Sequence, residues 1–180
     1  MFKKNNNKYE NLISQGIKSA NNKDFKKSKS VFLQAIDTQP IRYEAYINLS
    51  NIYILENKSD KCIKILTNYL LTNKFNENIA NYLGKICLNY NKKEDLKKLF
   101  QISNLNFDFY EKEKKYLFYL QGIYFEQNRE IEKAKKSFSQ SIFCDYIFYK
   151  SYEKIFNLLE ETNDIKKLKF FIKLANKNFK

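Results

Sequence analysis

The sequence contains no histidine, only one proline and only three glycines in 180 residues. Histidine is the commonest metal ligand and the usual general base near neutral pH, so its absence argues against a metal centre or a histidine-dependent enzyme. Glycine and proline mark the turns of β-sandwiches and barrels, and so few of them argue against those folds. What remains is a continuous helical chain.

Long apolar runs are also missing. The most apolar stretch, residues 116–125, is interrupted by Gln121 and is followed by Glu126, so it is too short and too polar to span a bilayer. The first eight residues are polar and basic, and no apolar segment of a signal peptide follows them. We therefore expect a cytoplasmic protein with no membrane insertion.

Arginine is nearly absent, although the formal net charge is +13 and 33 residues are basic. Arg42 and Arg129 are the two arginines, and the other basic residues are lysines. Asparagine, isoleucine, phenylalanine and tyrosine are abundant too, and all share AT-rich codons with lysine. Nucleic-acid binders tend to use arginine for bidentate and stacked contacts. We interpret the lysines as a solvated surface that follows codon bias and no particular face, and a nucleic-acid partner as unlikely.

The three cysteines, Cys62, Cys87 and Cys144, are odd in number and widely spaced, and each lies in an apolar run. No C-x-x-C pair exists and no histidine could complete a zinc site. We predict buried free thiols in a reducing compartment, with no metal and no cofactor.

A pattern recurs five times along the chain. Its copies start at residues that are 34, 34, 38 and 34 positions apart: Leu12, Tyr46, Ala80, Phe118 and Tyr152. A small or apolar residue follows 16 positions later, and a large apolar residue 4 positions after that: Ser28 and Phe32, Cys62 and Leu66, Leu96 and Phe100, Ala134 and Phe138, Leu168 and Ile172. Four extra residues fall between the third and fourth copies, within residues 105–114.

This pattern resembles the tetratricopeptide repeat family, whose 34-residue signature is W-x2-L-G-x2-Y, then A-x3-F, then P. No copy has the tryptophan, and only the first has the proline, Pro40. The resemblance implies an all-α fold, a right-handed superhelical α-solenoid of tandem antiparallel helix pairs. The repeats would occupy residues 9–42, 43–76, 77–110, 115–148 and 149–180, after a basic, Asn-rich N-terminal tail at residues 1–8.

Local signals agree with helix pairs. The three glycines, Gly16, Gly84 and Gly122, share one position of the pattern and would let the two helices of a pair approach closely. Asn-rich turns separate the helices, and asparagine tolerates the left-handed backbone conformation that ends a helix. Asp24 and Asp164, together with Ser59 or Asp60, fall where the second helix of a pair begins and predict its cap.

The family resemblance places function on a concave groove lined by the first helix of each pair. Asparagine both donates and accepts hydrogen bonds, which suits a peptide backbone, and tyrosine suits contact surfaces. The groove candidates are Asn48, Asn51, Asn81, Tyr82, Lys85, Tyr119, Ile123, Lys150 and Lys154. A clamp for the terminal carboxylate of a chaperone tail is disfavoured, because only Asn48 matches it in the first three repeats.

The last helix carries more apolar residues than one buried face can hold. Phe170 and Leu174 are four residues apart and share a face. They predict an interface with a partner, a second copy of the chain or a further domain; the alternative is a scatter of exposed apolar residues, which is normal.

The sequence thus predicts a non-enzymatic adaptor that binds a protein or peptide partner. No catalytic set of residues is present. One alternative is a repeat module of a larger enzyme or assembly, such as an envelope-glycan transferase. Another is an RNA-binding helical repeat, against which the scarcity of arginine argues.

Overall fold

The computed structural model of the chain describes the backbone of residues 2–103 and 112–179 and the side chains of residues 6–103, 112 and 114–179. Within these ranges the secondary structure is ten α-helices and one short 3-10 turn, with no strand. The all-α class predicted from the repeat is confirmed. Most of the segment predicted to hold four extra residues, 105–114, lies outside the described residues.

The chain divides into two compact units, Met1–Ile102 and Ser103–Lys180. Unit 1 consists of three helix pairs: α1 (Phe2–Asn21) and α2 (Phe25–Thr38), α3 (Tyr43–Leu55) and α4 (Ser59–Thr72), α5 (Glu77–Asn89) and α6 (Lys93–Ile102). Unit 2 consists of a 3-10 turn and two pairs: Lys112–Lys114, α7 (Lys115–Gln127) and α8 (Ile131–Cys144), α9 (Tyr149–Glu161) and α10 (Ile165–Asn178). A three-residue turn joins the two helices of each pair, so they run antiparallel and pack on each other.

The first helix begins earlier than the sequence division suggested. Residues 2–8, assigned to an N-terminal tail, are part of α1. The side-chain oxygen of Asn6 accepts hydrogen bonds from Gln39 at 3.2 Å and from Arg42 at 3.4 Å. One turn further on, Tyr9 is fully buried, and its hydroxyl accepts the backbone N–H of Ala45 at 3.1 Å. The Asn6 contacts attach the basic segment to the end of the first repeat, and the Tyr9 contact ties α1 to the second repeat.

Five residues with positive φ mark the turns within the helix pairs. They are Lys23, Asn57, Asn91, Arg129 and Asn163, with φ between 52° and 60°. Their spacing of 34, 34, 38 and 34 residues repeats the spacing of the sequence pattern. Asparagine takes this conformation in three turns, as predicted, but a lysine and an arginine take it in the other two. No described glycine has a positive φ, so glycine serves packing here and not turn geometry.

Aspartates cap two of the second helices as the sequence predicted. The carboxylate of Asp24 accepts the backbone N–H of Lys27 at 3.0 Å, and that of Asp164 accepts the backbone N–H of Lys167 at 3.2 Å. Neither Ser59 nor Asp60 caps α4. Its N-cap residue is Lys58, whose side chain makes no capping hydrogen bond. Ser59 and Asp60 instead lie in the first turn of that helix, where the helix dipole stabilises the negative charge of Asp60.

Glycine on the first helix and phenylalanine on the second determine how closely two of the pairs approach. A Cβ atom built on Gly16 would lie under 3.0 Å from three ring carbons of Phe32, and one on Gly122 equally close to Phe138. The two phenylalanines are 1% and 0% exposed. The hydroxyl of Ser28 completes the first contact by donating to the carbonyl of Gly16 at 2.9 Å.

The three cysteines lie inside this packing. All are free thiols and all are buried. Burial raises the pKa of the Cys62 thiol to about 11 and the pKa of the Cys87 thiol to about 12. Because the thiolate is the reactive form, these two thiols are poor nucleophiles and weak metal ligands in the folded chain.

Replacing Gly122 with alanine is expected to destabilise unit 2. Alanine is intrinsically about 1 kcal/mol better than glycine inside a helix. However, its Cβ would press on the buried ring of Phe138, and overpacking of this kind costs about 1–3 kcal/mol. We therefore expect a lower free energy of unfolding, measured by urea denaturation that is monitored with circular dichroism.

The destabilising effect of Gly122→Ala should disappear or reverse in a Phe138→Val background, because valine lacks the ring carbons that the new Cβ would meet. There, Gly122→Ala should be neutral or stabilising by up to about 1 kcal/mol, the intrinsic helix preference. Equal destabilisation in both backgrounds would show that the glycine is not needed for the close approach.

Candidate functional site

The predicted groove residues of unit 1 lie on two neighbouring first helices. Helix α3 contacts both α1 and α5, so the three first helices of this unit lie side by side. Asn48 and Asn51 are on α3, and Asn81, Tyr82 and Lys85 are on α5; none of the five is buried. We call these five residues the amide strip.

One hydrogen bond joins the two helices across the amide strip. The hydroxyl of Tyr82 donates to the side-chain oxygen of Asn51 at 2.5 Å. Asn48 is half-buried and donates from its side-chain amide to the backbone carbonyl of Glu44 at 3.0 Å. Asn51 itself is exposed. The structure therefore brings Asn51 and Tyr82 together and holds Asn48 one turn earlier on the same helix.

Two groups in the strip are affected by burial. Burial raises the pKa of the Tyr82 hydroxyl to about 12. The side-chain amide of Asn81 donates to Glu77 at 3.1 Å, whereas its buried oxygen accepts no hydrogen bond from any described residue. Lys85, one turn after Asn81, is exposed.

The predicted groove residues of unit 2 form a more apolar surface. The ring of Tyr119 packs on three aromatic rings, with centroids 5.7 Å from Tyr116, 5.7 Å from Phe148 and 5.9 Å from Phe138. Ile123 is half-buried against the core of this unit. Both residues therefore contribute to packing as well as to the surface of α7.

The two lysines predicted for this unit have partners. The Lys154 ammonium pairs with the carboxylate of Glu126 at 2.9 Å, and the Lys150 ammonium lies 5.7 Å from the ring centroid of Tyr116. The glutamate that pairs with Lys154 is on α7, and not on α9, the helix that carries the lysine. The sequence signal for this ion pair is the position of Glu126 in the last turn of α7. Both ammonium groups therefore already have a neighbour on α7, which makes them less available to an anionic partner.

The predicted interface pair on α10 is split. Phe170 is 54% exposed, whereas Leu174 is half-buried and packs on the core cluster that contains Phe171. Residues four apart on a helix are about 40° apart around its axis, and here that rotation carries Leu174 towards the core. Of the two, Phe170 is the residue that solvent or a partner can reach.

Neither a metal cluster nor a membrane span is found in the part of the chain that the structure describes. No three histidine, cysteine, aspartate or glutamate side chains of the described residues are grouped so that they could hold a metal ion. None of the described helices has both the length and the apolar character needed to cross a bilayer.

Comparison by sequence finds no relative: no protein-family model and no curated protein matches the chain. Comparison by structure does. PilF of Pseudomonas aeruginosa is similar with a TM-score of 0.70 and 14% identity, over 96% of this chain and 77% of that one. MamA is similar with a TM-score of 0.60 and 16% identity, over 90% of this chain and 92% of that one.

A tetratricopeptide repeat protein from Parabacteroides merdae is similar as well, with a TM-score of 0.61 and 15% identity. That likeness covers 95% of this chain and 67% of the other. The helix pairs, the spacing of their turns and these three likenesses agree. The chain is an all-α solenoid with the tetratricopeptide-repeat fold.

Proposed function

We propose that this protein is a non-enzymatic scaffold that binds a peptide or protein partner on the first helices of its repeats. The observation that carries the proposal is the amide strip of unit 1. Asn48, Asn51 and Tyr82 place polar groups on adjacent helices, and the hydrogen bond between Tyr82 and Asn51 fixes their relative position. Groups held in place before binding lose less entropy when a partner arrives.

The hydrogen-bonding capacity left in the strip suits a polypeptide backbone. The amide nitrogen of Asn51 donates to no described residue, and the side-chain oxygen of Asn48 accepts from none. One free donor and one free acceptor, one helical turn apart, match the alternating N–H and C=O groups of an extended peptide. In unit 2, the Tyr119 surface offers apolar contact area of its own.

Catalysis has no part in this proposal. The thiols of Cys62 and Cys87, intrinsically strong nucleophiles, are buried and have raised pKa values. Three free, buried thiols also fit a reducing compartment, and we propose the cytoplasm as the location. Since Leu174 packs on the core, the proposal does not require the second copy or further domain predicted at Phe170 and Leu174.

Removing the polar groups of the strip is expected to weaken partner capture. The variant carries Asn48→Ala, Asn51→Ala and Tyr82→Phe, and purified protein is used to capture partners from native lysate at physiological salt. It should bind its partner roughly thirtyfold more weakly than wild type, because the hydrogen bonds of Asn48 and Asn51 to the partner each contribute about 1 kcal/mol. The measurement is quantitative mass spectrometry of the eluted proteins.

The matched control changes three exposed polar residues outside the strip: Asn22→Ala, Ser30→Ala and Asn68→Ala. These lie in the turn before α2, on α2 and on α4, respectively. The control should capture the same partners as wild type. If the strip variant retains its partners as well as the control does, the binding surface is elsewhere.

Tyr82 is expected to keep its proton well above pH 10 in the folded protein, because burial raises its pKa to about 12. The unfolded chain would lose that proton near a pH of about 10. The contribution to stability is therefore complete below the unfolded pKa and is lost as the pH rises through the folded pKa of about 12. Tyr82→Phe should move alkaline unfolding to higher pH, and should remove one late phenolate in an ultraviolet titration. If Tyr82→Phe instead removes one phenolate from the earlier titration step, in which exposed tyrosines lose their protons, the Tyr82 hydroxyl is open to solvent.

A further inference from the structure

The lysines of unit 2 are concentrated on the second helices of its pairs. Helices α8 and α10 together contain eight lysines and one glutamate, whereas α7 and α9 contain three lysines and four glutamates. The interpretation that the lysines follow no face of the fold is therefore wrong for this unit. Codon bias can raise the number of lysines, but it does not sort them between helices.

The lysines of α10 differ from those of α8 in having few partners. On α8, Lys133 pairs with Glu130 and Lys135 with Glu132, both at 2.5 Å. Helix α10 contains five lysines and no acidic residue. Lys167 pairs with Asp164 at 3.1 Å. The other four form no ion pair with any described residue, and all four are exposed: Lys166, Lys169, Lys173 and Lys177.

These four lysines form a straight row, which we call the lysine ridge. They are spaced three, four and four residues apart, so they share one face of the helix. At a rise of about 1.5 Å per residue the ridge is about 16 Å long. Like charges at this spacing repel each other, so an anionic partner along the ridge would relieve a repulsion that is already present.

Exposed apolar side chains lie on both sides of the ridge. Phe170 is 54% exposed on one side, and Ile165 and Ile172 are 46% and 42% exposed on the other. Phe171, on the opposite side of the helix, is buried in the core of unit 2. The inner face of α10 is thus satisfied by packing, and its outer face combines uncompensated positive charge with apolar side chains.

We propose that the outer face of α10 docks on the surface of an anionic lipid bilayer. The ammonium groups of the lysine ridge lie among the lipid phosphates and carboxylates, while Phe170, which borders the ridge, enters the boundary between headgroups and acyl chains. A basic helix with exposed aromatic and aliphatic residues has the composition of an interfacial helix. The flexible lysine stems can lie along apolar surface while the ammonium groups stay in the polar layer.

A planar surface fits this face better than a rod-shaped partner does. A flat anionic layer can meet the lysine ridge and the adjacent Phe170 at once. An acidic peptide would pair with the lysines along the ridge but would offer no apolar layer to the exposed Phe170. Nucleic acids are commonly recognised by arginine, which α10 lacks, through bidentate and stacked contacts.

Vesicle co-sedimentation tests the proposal directly. We expect the full chain to bind vesicles of phosphatidylcholine with one third phosphatidylglycerol at physiological salt, and not vesicles of phosphatidylcholine alone. Lys169→Gln with Lys173→Gln should weaken binding roughly tenfold to thirtyfold, because each lysine near an anionic surface contributes about a factor of five.

The matched control removes the same charge from exposed lysines of unit 1, with Lys26→Gln and Lys61→Gln, and should bind within about threefold of wild type. Failure of the wild-type chain to bind anionic vesicles would overturn the proposal, and so would equal loss in both variants. Binding to polyglutamate or to single-stranded RNA without binding to anionic vesicles would overturn it too, and would assign the ridge to an acidic macromolecule. A dimer that dissociates on Phe170→Asp in light scattering, without vesicle binding, would assign the face to a second copy.

The entry of Phe170 into the bilayer can be followed separately. The chain contains no tryptophan, so Phe170→Trp introduces a single tryptophan, which can be excited selectively at wavelengths where tyrosine does not absorb. Leu55→Trp places one at a 63% exposed site of unit 1. We expect a blue shift of the emission on adding anionic vesicles for Phe170→Trp and none for Leu55→Trp. No shift at either site, or the same shift at both, would contradict insertion at Phe170.

Discussion

The close contact between a helix backbone and a phenylalanine ring is the constraint on which two of the helix pairs depend, one in each unit. At Gly16 and at Gly122 the first helix has no side chain, and the ring of Phe32 or Phe138 fills that space. Each ring is almost completely buried. Gly16 and Gly122 occupy one position of the pattern that recurs at about 34 residues, and the positive-φ residues of the turns recur at the same spacing. A pair held in this way presents one outer face on its first helix and another on its second.

The two faces have different chemistry, and this difference supports two separate proposals. In unit 1 the first helices carry neutral amides and a tyrosine hydroxyl that is already fixed by Asn51. In unit 2 the second helix α10 carries lysines without acidic partners and exposed apolar residues. Neutral groups that both donate and accept suit a polypeptide backbone, while uncompensated charge suits a diffuse anionic surface. A scaffold that binds a partner with one face and a bilayer with another would bring that partner to the membrane surface.

The sequence predicted the parts of the structure that depend on local pattern. The period located the helix pairs, and the glycines and aspartates located two close contacts and two helix caps. The sequence was less predictive where several residue types can adopt the same backbone conformation. Lys23 and Arg129 take the left-handed conformation that asparagine takes in the other turns. Pairing between distant helices was not visible, since the partner of Lys154 is Glu126 and not a glutamate of its own helix. Small rotations around a helix were not visible either, and one of them turns Leu174 towards the core beside the exposed Phe170.

The central claim is that the first-helix face of unit 1 meets a polypeptide partner. Site-specific photo-crosslinking inside living cells tests it most directly, with the photoreactive side chain placed at Asn51 or, for comparison, at the exposed Lys61 of α4. We expect a discrete crosslinked species of defined mass from position 51, and none from position 61. The same crosslinked species from both positions, or none from position 51 while the chain is folded, would contradict it.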